Sequence, residues 1–147
     1  SLIFHTIKEI LDQYSSYKNF ILLQPDSPLR KTIDINKSIN LFLSKNALSC
    51  VSVTKTKKPP ELFYKINTNG FIITKYIEDP LPKNKQHYDY FYEINGAIYI
   101  SNTNSYIKNK SFISKKTYTY EMPRERSIDI DNRFDLRLAN FFFNIWN

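Results

Sequence analysis

Glycine is nearly absent from this chain: 147 residues contain two, Gly70 and Gly96. A Walker-type loop or a GxGxxG turn needs several glycines close together, so neither exists in these residues. The single cysteine, Cys50, excludes an internal disulfide, and with only His5 and His87 beside it no structural zinc site is expected. Long apolar runs are also missing. The strongest is Phe20-Ile21-Leu22-Leu23, too short for a membrane span or a signal peptide. A cytoplasmic protein is therefore expected, with no membrane partner. The first residue is Ser1 rather than Met, as in a fragment or a processed piece.

What remains is enough for one folded domain: 41% of residues are hydrophobic and 16% aromatic. Net charge is +7, from 21 basic and 14 acidic residues. The basic residues are mostly Lys and are scattered, apart from runs at 55–58 and 108–116. Scattered lysines do not form the continuous stripe of a nucleic-acid interface, so no nucleic-acid partner is expected. They read as solvated surface, with some attraction for anionic ligands.

Residues 2–18 carry Ile3, Ile7, Ile10, Leu11 and Tyr14 on one helical face. Residues 20–23 read as a strand buried on both faces, closed by the prolines of a following loop. A second helix is predicted over 34–45, with a buried stripe of Ile35, Ile39, Phe42 and Leu43, a Thr32 cap and Asp34 in its first turn. Residues 48–53 follow as a strand. This helix–strand alternation predicts an α/β domain with parallel pairing. Residues 55–84 break the pattern with four prolines and an Asn69-Gly70 turn, and read as an inserted antiparallel hairpin. Strands at 97–101 and 117–122, a short helix at 103–109 and an extended piece at 128–130 come next. The last helix starts near Asn132, with Leu136, Ala139, Phe143 and Trp146 on one face.

Three short segments can carry chemistry. In Asp129-Ile130-Asp131 an extended backbone puts both carboxylates on one side. A carboxylate pair suits Mg²⁺, a hard cation that takes oxygen ligands. The same residues also read as a helix cap and a solvated acid. Gln24–Arg30 follows a strand, where open α/β sheets bind ligands, and Arg30 suits a carboxylate or phosphate. It also reads as a rigid turn. Asn95-Gly96 permits close backbone approach to a ligand, or serves only as the start of a strand. His5, His87 and Cys50 read as surface or packing residues.

Together the segments resemble the acylneuraminate cytidylyltransferases, the CMP-sialic acid synthetases. Gln24-Pro25-Asp26-Ser27-Pro28-Leu29-Arg30 is similar to that family's Gln-Pro-Thr-Ser-Pro-Leu-Arg motif, with Asp26 in place of Thr. Asn95–Tyr99 matches its Asn-Gly-Ala-Ile-Tyr motif. Ser127–Asp131 with Asp135-Leu136 matches its Ser-Ile-Asp-Ile-Asp…Asp-Leu stretch. The three occur in the family's order and spacing.

The resemblance implies a Rossmann-like nucleotidyltransferase fold, a mainly parallel sheet with an antiparallel dimerisation hairpin inserted at 55–84, and a homodimer. Residues 1–147 form a single, partial domain, resembling roughly the C-terminal two-thirds of a synthetase without its front, CTP-cradling loop. It implies transfer of CMP from CTP to the anomeric hydroxyl of a nonulosonic acid, with pyrophosphate released and Mg²⁺ as cofactor. By motif match, Asp129 and Asp131 hold the metal and are the catalytic pair. Gln24, Arg30, Lys85, Gln86, Asn95, Tyr99 and Phe112 bind substrate. Lys85, Glu93 and Leu62 depart from the family's usual Arg, Arg and Lys. The departures point either to a different acid, such as a legionaminate, or to a non-catalytic dimerising or sugar-acid-binding module.

Overall fold

The computed structural model describes residues 2–13, 17–75 and 91–146. The chain forms two compact units, one of residues 1–54 with 94–147 and one of residues 55–93.

The larger unit is α/β. Helix α1 is Leu2–Gln13, strand β1 Asn19–Leu22, helix α2 Thr32–Ser44 and strand β2 Ser49–Lys55. After the smaller unit come strand β5 (Tyr92–Asn102), helix α3 (Thr103–Asn109), strand β6 (Tyr118–Glu121) and helix α4 (Arg133–Trp146). The four strands lie in the order β1-β5-β2-β6. β2 and β6 pair in parallel, Cys50 beside Tyr118 and Val53 beside Glu121. β5 is antiparallel to β1, with Phe20 opposite Ser101 and Leu22 opposite Tyr99. It is antiparallel to β2 as well, because Leu48 meets Asn102 while Ser52 meets Ile98. β1, β2 and β6 thus share one direction and β5 alone is reversed. The α/β alternation predicts parallel pairing for this strand, and the structure reverses it.

The central strands are the most buried. Cys50, Val51, Ala97, Ile98 and Ile100 form the core with Phe42, Ala47 and Met122. Burial pushes the Cys50 thiol up to about 11. β1, expected to be buried on both faces, is half-exposed, with Ile21 at 37%. The described sheet gives it a neighbour on one side only, which an apolar run in sequence does not reveal.

Helix α1 buries Ile7 but leaves Ile10 exposed; it is described over Leu2–Gln13, and Tyr17 and Lys18, within the expected span, are not helical. The Tyr14 expectation lies outside the described residues. Helix α2 is capped by Lys31, not Thr32, whose residue is already helical. Its buried positions are Asp34, Ser38 and Phe42; Ile35 and Ile39 pack against the core, and Leu43 faces out. On α4, Ala139 is buried and Trp146 half-buried, whereas Leu136 and Phe143 are exposed. Residues 128–130 belong to no strand.

In the smaller unit, β3 (Tyr64–Ile66) and β4 (Ile72–Lys75) pair antiparallel around the Asn67–Gly70 turn. Asn67 Oδ1 accepts from the amides of Asn69 and Phe71, and Gly70 takes φ +86°. This is the expected hairpin; its continuation through 76–84 lies outside the described residues.

Candidate functional site

Three backbone features bring the chemistry-bearing segments together in the larger unit. The loop after β1 is held to β5 by Arg30, whose Nη1 donates to the carbonyls of Ala97 at 2.7 Å and Gln24 at 3.1 Å. Residues 128–131 are held to the same loop by the Ile130 amide, which donates to the Asp26 carbonyl at 2.9 Å. β5 supplies Gly96, at φ +75°. A Cβ there would sit 2.7 Å from Gln24 Oε1, 3.6 Å from Ser27 Oγ and 3.7 Å from Asp129 Oδ2. Side chains from two of the motifs therefore surround the glycine of the third.

Asn95, only 6% exposed, ties this region together. Its Oδ1 accepts from the Ser52 hydroxyl and the Ala97 amide, and its Nδ2 donates to Ser127 Oγ at 2.8 Å. Ser52 Oγ in turn accepts from the Ile98 amide. These bonds couple β2, β5 and the segment leading to Asp129, which gives Asn95 an internal positioning role.

The Asp34–Arg126 pair fixes that segment from the other side. Asp34 is fully buried at the start of α2 and accepts from Arg126 Nε and Nη2, Tyr120 Oη and the Lys31 amide. Burial alone would raise this carboxyl, but Arg126, the Lys31 amide and Tyr120 outweigh it and hold it below the usual carboxylate range. Arg126 ends the 3-10 turn Arg124–Arg126, directly before Ser127. Sequence reasoning had credited Asp34 only with a helix-terminus role. Nothing in either segment signals the pairing.

Asp26 and Asp129 meet side chain to side chain. Burial raises the Asp129 carboxyl, followed by the charge of Asp26, the charge of Asp131, a hydrogen-bonding contact with Asp26 and the charge of Asp135. Among the described residues, neither Asp26 Oδ1 nor Asp129 Oδ1, both buried, has a hydrogen-bond partner, and nor does the Ser27 hydroxyl at 0% exposure. Asp131 is exposed. Asp135 and Asn132 form a reciprocal capping box for α4: Asn132 Oδ1 accepts from the Asp135 amide, and Asp135 Oδ2 accepts from the Asn132 and Asp131 amides. The helix-cap role therefore belongs to Asn132.

Tyr99 and Phe112 adjoin this cluster. Their ring centroids are 5.0 Å apart, and Phe112 also packs on Phe20 and Tyr106. Burial raises the Tyr99 phenol, and the charges of Asp129 and Asp26 add to the shift, which places Tyr99 in their field. Lys85 and Gln86 lie outside the described residues. A groove of about 440 Å³ lined by Lys45, Lys115, Lys116 and Tyr118 lies at the opposite end of β2, away from every motif.

Among the described residues the donors around Gly96 are all oxygen, with no thiolate or imidazole, which suits a hard divalent cation and not a soft one. Among the described residues no three His, Cys, Asp or Glu side chains are arranged to hold a metal together. Two carboxylates with neutral oxygens are what remain, and Mg²⁺ is commonly held by one or two carboxylates plus substrate phosphates. The orphaned carboxylate oxygens fit that role.

No family profile matches the chain. It is 35% identical over 140 residues to the N-acylneuraminate cytidylyltransferase of Streptococcus agalactiae serotype V, a match covering 94% of this chain and 34% of the relative. It is 33% identical over 137 residues to the enzyme of that name from Escherichia coli O18:K1:H7, covering 92% and 32%. The CMP-N,N'-diacetyllegionaminic acid synthase of Legionella pneumophila is 28% identical over 142 residues, covering 93% and 60%. The chain thus spans about a third of the first two relatives. In fold it is similar to CMP:2-keto-3-deoxy-manno-octonic acid synthetase complexed with CTP, with a TM-score of 0.63 at 15% identity, covering 98% of this chain and 68% of that one. It is also similar to 4-diphosphocytidyl-2C-methyl-D-erythritol synthase from Anaerococcus prevotii, with a TM-score of 0.53 at 12% identity, covering 95% and 76%. The Rossmann-like nucleotidyltransferase fold is the one these structures share. Among the described residues no helix is long and apolar enough to cross a membrane.

Proposed function

We propose, for a chain that resembles the N-acylneuraminate cytidylyltransferases over 94% of its length, that it is the sugar-acid and metal side of a CMP-sugar synthetase. The reaction is attack of a nonulosonic acid's anomeric hydroxyl on the α-phosphate of CTP, with pyrophosphate released. The observation that carries the reading is the meeting of Gln24, Ser27, Gly96 and Asp129, which are far apart in sequence and drawn from all three motifs.

Asp129 and Asp131 hold Mg²⁺, which when bound neutralises charge developing on the phosphates. Gln24 presents its amide toward the acid, Tyr99 and Phe112 wall the pocket, and Gly96 lets ligand approach the backbone. Arg30 fixes the loop through Ala97 and Gln24. Lys85 and Gln86 complete the acid-binding set. CTP is an intracellular nucleotide, so the enzyme works in the cytoplasm.

The hairpin exposes Phe63, Ile66, Phe71 and Ile72, at 54 to 68%. Apolar surface of this kind marks an interaction site, and a symmetric homodimer covers it.

Lys85 in place of Arg removes a bidentate fork, and Glu93 opposes a carboxylate. These departures favour an acid other than N-acetylneuraminate, and the Legionella relative makes a legionaminate-type acid the first to try. They also favour a second reading, a binding module without turnover. Pyrophosphate release by the product of the full reading frame, with CTP, Mg²⁺ and a panel of nonulosonic acids, separates the two. Turnover of one acid supports the synthetase; binding of an acid without turnover supports the module.

A further inference from the structure

Asp26 stands where the resembling motif has Thr, and it is the side chain that Asp129 contacts directly. Threonine would offer a neutral hydroxyl there; Asp26 adds a charge beside an existing one. Two carboxylates in contact repel, and each desolvated oxygen needs a partner. Neither Asp26 Oδ1 nor Asp129 Oδ1 has one among the described residues.

Arg30 lies close enough for its charge to interact with Asp26, but its Nη1 is spent on the carbonyls of Ala97 and Gln24. The wall nearby is Tyr99, whose phenol is disfavoured from ionising first by burial and then by the two acids.

Independent of the carboxylates, the Ser27 hydroxyl is fully buried and has no partner among the described residues. It faces the same Gly96 cradle as Asp129 Oδ2 and Gln24 Oε1. The loop and the acidic segment are clamped by the Ile130–Asp26 and Arg30–Ala97 bonds, so the oxygens are held in place without substrate.

We propose that Asp26, Asp129 and the Ser27 hydroxyl form a divalent-cation position that this chain fills before any nucleotide arrives. The proposal rests on the reading of Asp129 as a metal-side residue and adds two ligands to it, Asp26 and Ser27. All donors are oxygens, so the class of ion is Mg²⁺, Mn²⁺ or Ca²⁺. Phosphates ordinarily complete such a site, and the additional carboxylate lets the protein hold the ion without them.

The test is Mn²⁺ binding to the 147-residue chain without CTP, followed by electron paramagnetic resonance of the free ion. Binding that Mg²⁺ displaces is expected, and Asp26→Thr and Asp129→Asn should each weaken it by about tenfold or more. Asp26→Asn, which keeps the shape, guards against loss of fold, and circular dichroism checks each variant. Asp26→Thr binding Mn²⁺ as the parent does would overturn the proposal and mean that the acids share a proton instead. A parent that takes up no Mn²⁺ at millimolar concentration, while the full reading frame still releases pyrophosphate, would overturn it and leave the synthetase reading standing.

Discussion

The Arg126 guanidinium grips both oxygens of the buried Asp34 carboxylate, Nη2 at 2.8 Å from Oδ1 and Nε at 2.9 Å from Oδ2. The pair joins the first turn of α2 to the turn that launches Ser127–Asp131. It is a structural device, and Arg126 directly precedes Ser127.

Removing one partner of a buried ion pair strands the other. Asp34→Ala should therefore destabilise the chain by about 3–5 kcal/mol, read as a lower midpoint in urea. Asp34 is held below its usual value of 3.8 in the fold. Its contribution is present above the unfolded value and lost as pH falls through the folded one. Parent stability should decline as pH drops below about 4, and Asp34→Asn should lose that part of the decline. An unchanged acid limb in Asp34→Asn would contradict the assignment.

Gly96 has both a positive φ and oxygens packed where a Cβ would go. Gly96→Ala should cost about 1–3 kcal/mol from backbone conformation. The nearest obstacle is the far end of Gln24, 2.7 Å away, so the steric part is relieved by displacing that side chain. Sugar-acid binding should then suffer more than stability does. A variant matching the parent in both urea midpoint and acid binding would contradict this.

Most elements of the larger unit are legible from periodicity alone. α2 falls where apolar spacing puts it, β2, α3 and β6 lie within a residue or two of the expected 48–53, 103–109 and 117–122, and the Asn69-Gly70 pair announces the hairpin. Periodicity marks a face as apolar without saying whether anything covers it. Leu43, Leu136 and Phe143 sit on such faces and are exposed. The reversal of β5 is equally hidden, since direction depends on the path between strands. At the site, the motifs identify Gln24, Gly96 and Asp129 through resemblance. The contacts that decide their environment join residues far apart: Asp34 with Arg126 are 92 positions apart, and Asp26 meets Asp129 across a comparable gap. Local pattern carries no trace of either, so the spacing argument paired Asp129 with Asp131 and left Asp26 as a mere departure from a motif.

The hairpin of the smaller unit should hold two copies together. Light scattering should show a dimer at micromolar concentration, and Phe71→Asp or Ile66→Lys should shift it toward monomer without lowering the melting point of the larger unit. Both residues are exposed in the single chain, at 68% and 65%. A parent that stays monomeric at high micromolar concentration would contradict the dimer.

Asp135 separates metal chemistry from helix capping within one short segment. Its Oδ2 is occupied by the Asn132 and Asp131 amides. Asp135→Asn should cost about 0.5–2 kcal/mol of stability and reduce turnover less than the loss of either neighbouring acid. A loss of turnover equal to that of Asp129→Asn, with stability unchanged, would move Asp135 into the reacting set.

The central claim is that the acids of residues 129–131 serve nucleotidyl transfer, and pyrophosphate release by the full reading frame tests it most directly. With CTP, Mg²⁺ and the acid that the parent turns over, Asp129→Asn and Asp131→Asn should each lower turnover by about 10²-fold or more, several kcal/mol of transition-state stabilisation. Wild-type turnover in both variants would contradict the account.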